Sequence, residues 1–263
     1  MAPKIPYLTQ KLVARHRGTL PLVLACPHDG GESPPGVPVR SGDVPGCHFE
    51  KDADRQTHLI GVQLAERLLE LCGQAPYVVL AEFHRRHIDA NRSSRCAYEV
   101  PAAAPFYDEY HATLRTFVDE VRAEHGFGWL IDIHGCAPLA ADPADVYLGT
   151  ANGASVQRLL CTDALALFRH RSLRGLLTGA GYVLSPGAPG QPDPPPFAGG
   201  FTVQTYGSSH DDGIDALQVE IVESIRIEDT ARAAFVEQLA QALAVLALDL
   251  GSCGRTAPQE RGL

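Results

Sequence analysis

The sequence predicts an α/β protein built on one mixed, largely parallel twisted sheet flanked by helices. Three observations predict it. Short continuous apolar runs alternate with longer segments of helical period. The 263 residues, 45% apolar and 20% charged, suffice for one large core. No internal repeat suggests a different architecture.

Strands are expected at 20–26, 77–83, 129–134, 145–149, 201–206 and 216–222, each an apolar or alternating run of strand length. Helices are expected at 54–72, 107–125, 155–169 and 229–250, where apolar residues recur at three and four. In the last of these Ala233, Val236, Leu239, Ala240, Leu243 and Leu246 form one stripe. Two segments break the pattern. Residues 30–46 are rich in Gly and Pro, and 185–200 carry six prolines between Pro186 and Pro196. Long loops in a compact fold often serve as functional lids. The chain is expected to form a single domain, 1–263, with its core at about 18–250 and a tail at 251–263 that has no apolar period.

Charge narrows the choice of partners. Lys and Arg number 22 against 31 Asp and Glu, a net charge of −9 that repels phosphate backbones and anionic lipid headgroups, so neither a nucleic-acid nor a membrane partner is expected. No apolar run approaches the roughly 20 residues that span a bilayer, and the first residues show no signal-peptide core. A soluble, cytoplasmic protein is the expectation. The seven cysteines are odd in number and scattered, without a CxxC pair, so no disulfide framework is expected.

Reactive side chains in open α/β sheets collect just past the carboxyl ends of strands, and four expected strand ends carry polar residues. After 20–26 come Pro27-His28-Asp29-Gly30-Gly31-Glu32, where glycines let His28 and Glu32 converge as a zinc-compatible imidazole and carboxylate. In Asp132-Ile133-His134-Gly135, alternation puts Asp132 and His134 on one face. Burying both there without a partner is costly, which favours His134 as a metal ligand. Asp132 is open between orienting that imidazole, ligating, and a structural hydrogen bond. Four arginines between Arg85 and Arg95 make a cationic site suited to a carboxylate. Glu220, flanked by Val219 and Ile221, needs a reason to be buried, and general-base chemistry is one. Glu223 reads as an exposed rim residue.

The order PHDGG-E, DANR, DIHG, QVEI resembles the N-formylglutamate amidohydrolases, relatives of the zinc carboxypeptidases and aspartoacylases, over about 22–225. The resemblance implies a zinc-exopeptidase (phosphorylase/hydrolase-like) fold and one Zn2+ per chain on His28, Glu32 and His134. The first pair is spaced by four residues, not by the three of the carboxypeptidases. That spacing is similar to phage poly-γ-glutamate hydrolases and leaves Asp29 as the alternative to Glu32. It further implies that Asn91 and Arg92 hold a substrate carboxylate and that Asp89 braces them. Glu220 is then the general base, and an arginine near Arg86 helps hold the oxyanion. Gly199-Gly200-Phe201 and Thr205-Tyr206-Gly207 also match the family, with Tyr206 either lining the pocket or buried with its hydroxyl satisfied.

The function so implied is zinc-dependent hydrolysis of an N-acyl amino acid or related carboxylate-bearing amide, a small-molecule substrate. Three alternatives compete: cleavage of a peptide or γ-glutamyl bond, a non-catalytic binding protein of the same fold, and a cysteine hydrolase using Cys26 or Cys136.

Overall fold

In the computed structural model residues 5–253 are described; residues 1–4, and 254–263 with most of the expected tail, lie outside the described residues. The strands are β1 (Leu8–Gln10), β2 (Val13–His16), β3 (Leu22–Cys26), β4 (Tyr77–Ala81), β5 (Trp129–Cys136), β6 (Val146–Gly149), β7 (Leu184–Ser185) and β8 (Asp215–Val222). The helices are α1 (Thr57–Cys72), α2 (Ser94–Ala97), α3 (Ala104–His125), α4 (Gln157–Thr162), α5 (Leu173–Gly179), α6 (Phe201–Tyr206), α7 (Glu223–Ile227) and α8 (Asp229–Cys253).

One sheet runs through them in the order β1-β2-β4-β3-β5-β8-β6-β7. Its centre, β4-β3-β5-β8, is parallel, while β2 and β6 add antiparallel flanks. The order of the central strands places the carboxyl ends of β3, β5 and β8 side by side. Helices cover both faces. Leu22, Leu24 and Cys26 of β3 cluster with Ile60, Leu64 and Leu68 of α1 and with Leu239 and Leu243 of α8. The alternate residues Val23 and Ala25 cluster with Tyr110, Leu114, Phe117 and Val118 of α3. A central strand buried on both faces is therefore apolar throughout, which is why it reads as a continuous run.

Several elements depart from expectation. Residues 201–206 form α6, not a strand. Six residues of alternating polarity fit either structure, and here Thr202, Val203 and Tyr206 share the buried side of a helix turn. The single helix expected at 155–169 is broken by Asp163, whose backbone is extended. Its carboxylate accepts the Leu165 N–H and pairs with Arg169, the local bonding by which Asp competes with helix. The helix expected from 54 begins at Thr57, which frees Asp54 from it. The short strands β1, β2 and β7 have too few residues to show a period.

Two further features bear on the expectations drawn from the sequence. Asp229–Leu248 of α8 is long and apolar enough to cross a membrane by length and composition, although more than half of its most apolar window is buried. It packs on α1 and α5, and Arg67 grips Glu237 through two hydrogen bonds. One disulfide forms as well. Cys47 and Cys96, 49 residues apart in sequence, are brought to a Cα separation of 5.4 Å, and they tie the Gly- and Pro-rich loop to α2.

Candidate metal and catalytic site

His28 lies two residues beyond β3 and His134 near the end of β5, both buried. Asp54 reaches them from the segment before α1, held there because its N–H donates to the His28 carbonyl and its own carbonyl accepts from the Thr57 hydroxyl. His28 Nδ1 and His134 Nδ1 stand 3.1 Å apart, and Asp54 Oδ2 lies 3.2 Å from the first and 3.0 Å from the second. On the outer sides of the rings, His28 Nε2 is 2.7 Å from Asp89 Oδ1 and His134 Nε2 is 2.9 Å from Asp132 Oδ2.

Carboxylates only accept, so the Asp89 contact puts the His28 proton on Nε2, and the Asp132 contact at 2.9 Å favours the same tautomer of His134 over the longer 3.1 Å approach of the Asn91 Nδ2 donor; both Nδ1 lone pairs then turn inward. Two such lone pairs and a carboxylate oxygen then face one another. Positive charge must sit among them. A single proton satisfies one pair, whereas a divalent cation satisfies all three donors at once, and carboxylate-oriented imidazoles are how proteins hold one. Among the described residues this is the one group of three such donors. The electrostatics agree. Burial alone would raise the Asp54 carboxyl, but His28 and His134 hold it well below the carboxylate range. Burial opposes charge on His134, yet Asp132 and Asp54 raise its affinity for a proton.

Arg85 braces the cluster. It donates to Asp54 Oδ1 at 3.0 Å and to Asp89 Oδ2 at 3.2 Å, so each carboxylate keeps one oxygen for an imidazole. Asn91 is fixed by the Thr202 N–H donating to its Oδ1 at 2.8 Å, and its own N–H donates to Asp89. Gly200 permits this packing, since a Cβ there would stand 2.1 Å from Asn91 Nδ2. Glu220 is paired in register with His134 across β5 and β8. Gln218 donates to its Oε1 at 2.6 Å, and burial raises its carboxyl above the usual value.

His28, Asp54, Arg85, Asn91, Arg92, His134 and Glu220 all border one cavity of about 1090 Å³, and residues 195–200 of the Pro-rich segment form part of its wall. Three expected site residues fall elsewhere. Glu32 is exposed, and its backbone is locked by a bridge to Phe83 on the far side of its loop; the carboxylate brought to the imidazoles is that of Asp54. Arg86 is outside the cavity wall and donates towards His87, while its neighbour Arg85 enters the cluster. Tyr206 is buried behind the site, with its hydroxyl donating to the His111 carbonyl and its ring stacked on His111. The alternative Asp29 accepts the His58 N–H at the start of α1 and is likewise absent from the donor group. Asp54 was hidden in the sequence because a carboxylate opening an amphipathic helix reads as a cap.

Comparison with known proteins gives the family and the fold. The family model for N-formylglutamate amidohydrolase matches residues 101–225. An N-formylglutamate deformylase of Pseudomonas putida is 30% identical over 269 residues, covering 88% of this chain and 91% of that protein. The chain belongs to the N-formylglutamate amidohydrolase family. It is thus an enzyme of the amide-hydrolysing class. Two solved structures share its fold. The crystal structure of an N-formylglutamate amidohydrolase from Ralstonia eutropha JMP134 superimposes with a TM-score of 0.63 at 18% identity, over 89% of this chain and 95% of that one. A gene product of Agrobacterium tumefaciens gives 0.56 at 18% identity, over 91% and 96%.

Proposed function

We propose that this family member is a zinc-dependent amidohydrolase that cleaves the N-acyl bond of a carboxylate-bearing amino acid of the N-formylglutamate kind. The observation that carries the metal is the convergence of His28 Nδ1, His134 Nδ1 and Asp54 Oδ2, with the outer nitrogens engaged by Asp89 and Asp132. Two imidazoles and one carboxylate are a catalytic zinc donor set. Zinc, when bound, supplies a Lewis acid that acidifies water and polarises the amide carbonyl. The observation that carries the substrate class is the kinship with the Pseudomonas putida deformylase.

The remaining work falls to side chains. Glu220, buried at the end of β8, takes a proton from the attacking water as its oxygen bonds to the acyl carbon. The same carboxyl then returns the proton to the nitrogen as the C–N bond breaks, which releases the acyl group as its acid and the amino acid as its amine. Arg92 borders the cavity, donates one hydrogen bond to the Asn91 carbonyl, and forms no ion pair with a described carboxylate, so its guanidinium suits the carboxylate of the substrate. Arg85 is already committed to Asp54 and Asp89 and serves to position them.

Metal analysis combined with Glu220→Gln tests the reading. One zinc per chain is expected, with chelation abolishing release of amine from N-formyl-L-glutamate and zinc restoring it. Glu220→Gln should retain the metal and the KM while kcat falls roughly 10²–10⁴-fold. Full activity in chelator, or loss of the metal from this variant, would overturn it.

A further inference from the structure

Arg226 is buried in the wall of the same cavity, and no described carboxylate lies within ion-pair distance of it. The residue is 6% exposed, and its guanidinium is held by main-chain oxygens alone. Nε donates to the Ile221 carbonyl at 2.8 Å, one Nη to the Arg55 carbonyl and the other to the Cys136 carbonyl at 3.4 Å. The other buried arginines differ. Arg85 pairs with Asp54 and Asp89, Arg232 with Asp229, and Arg40 lies 3.9 Å from Asp89. Even Glu223, three residues earlier on α7 and also bordering the cavity, forms no ion pair with Arg226.

The position is next to the reacting centre. A Cβ on Gly135 would stand 2.3 Å from Arg226 Cζ and 2.7 Å from Nη1, so the guanidinium packs flat against the residue that follows His134. The Gly135 N–H in turn donates to Asp54 Oδ2. A buried charge without a counter-ion is costly, and proteins keep one where a ligand supplies the missing charge. Three carbonyls fix the orientation of the fork and consume three of its five N–H groups, which leaves two donors and a full positive charge. Arg92, half-buried, is a second arginine of the cavity wall without an ion pair to a described carboxylate, and it stands beside Asn91, whereas Arg226 stands beside Gly135 and Arg55.

We infer that Arg226 is a specificity-determining residue that binds a second carboxylate of the substrate, so that the enzyme selects dicarboxylates by a two-arginine receptor with Arg92. The inference rests on the proposed amide hydrolysis only in taking Arg92 for the first carboxylate. The second carboxylate belongs either to the side chain of the amino acid or to the acyl group, and ligand pairs distinguish the two.

Calorimetric binding to the zinc-loaded protein tests this without turnover, using L-glutamate against L-glutamine and succinate against succinamate, each an acid and its near-isosteric amide. Wild type should bind the acid of one pair at least tenfold more tightly than its amide, and the pair that shows it identifies the end of the substrate held. Arg226→Met should erase that difference, and Arg226→Lys, which keeps the charge, should retain part of it. The inference fails if wild type shows no preference in either pair, or if folded Arg226→Met retains it. Should Arg226→Met not fold, the wild-type preference and its partial retention in Arg226→Lys decide the matter, and an unaltered preference in Arg226→Lys overturns the inference. Failure of the hydrolysis reading looks different: amine release absent from every N-acyl substrate while the acid preference persists.

Discussion

Asp89 Oδ1 lies 2.7 Å from His28 Nε2, while Asp89 Oδ2 accepts from Arg85 at 3.2 Å. One buried carboxylate thereby links an imidazole whose far nitrogen faces the donor group to the arginine that also holds Asp54. Burial alone would raise the Asp89 carboxyl, but His28 and Arg85 hold it well below the carboxylate range, so it remains an anion. It turns the His28 lone pair inward and makes the ring a better donor.

Removing that contact should loosen the metal without removing a donor atom. In Asp89→Asn the carboxamide can present its N–H to His28 Nε2 and favour the wrong tautomer. Metal affinity is expected to fall roughly 10–100-fold, read by competition with a chromogenic chelator. An unchanged affinity would show that the tautomer is set elsewhere.

The identity of the carboxylate donor separates Asp54 from Glu32. Asp54→Asn should abolish retention of zinc through gel filtration, since it removes the charged oxygen shared by both imidazoles. Glu32→Gln should retain one zinc per chain and near-normal activity, because its side chain is exposed and only its backbone is engaged. The reverse pattern would restore Glu32 as the ligand.

His111 predicts a pH dependence of stability. Burial lowers its pKa from 6.5 to about 4, while its Nε2 lies 3.0 Å from the Ala90 carbonyl and its Nδ1 lies 2.9 Å from the Tyr206 hydroxyl. The folded state therefore binds this proton less readily than the unfolded state. The neutral ring's contribution is complete above pH 6.5 and is lost as pH falls towards 4, a change on the order of 3 kcal/mol. His111→Gln should flatten the fall in unfolding free energy between pH 6.5 and 4, measured by urea denaturation. An identical slope in the variant would assign the acid sensitivity to other groups.

The sequence by itself determined the α/β class, the central strands at the positions of β3, β4, β5 and β8, and the long helices α1, α3 and α8. Those elements are buried deeply enough for their apolar pattern to be read locally. It also singled out His28, Asp132, His134 and Glu220, because polar residues at the ends of apolar strands stand out against the pattern, and the family resemblance added Asp89, Asn91 and Arg92; the fold brings all of them to the site or to the residues touching it. Tertiary structure alone decided the third donor and the brace. Asp54 comes to His28 from 26 residues away through two backbone-directed hydrogen bonds, and Arg85 instead of Arg86 faces inward because the turn after β4 aims one side chain at Asp54 and its neighbour at His87. Which of two adjacent arginines points into a cavity depends on backbone direction, and which carboxylate meets an imidazole depends on chain return. Neither leaves a period in the sequence.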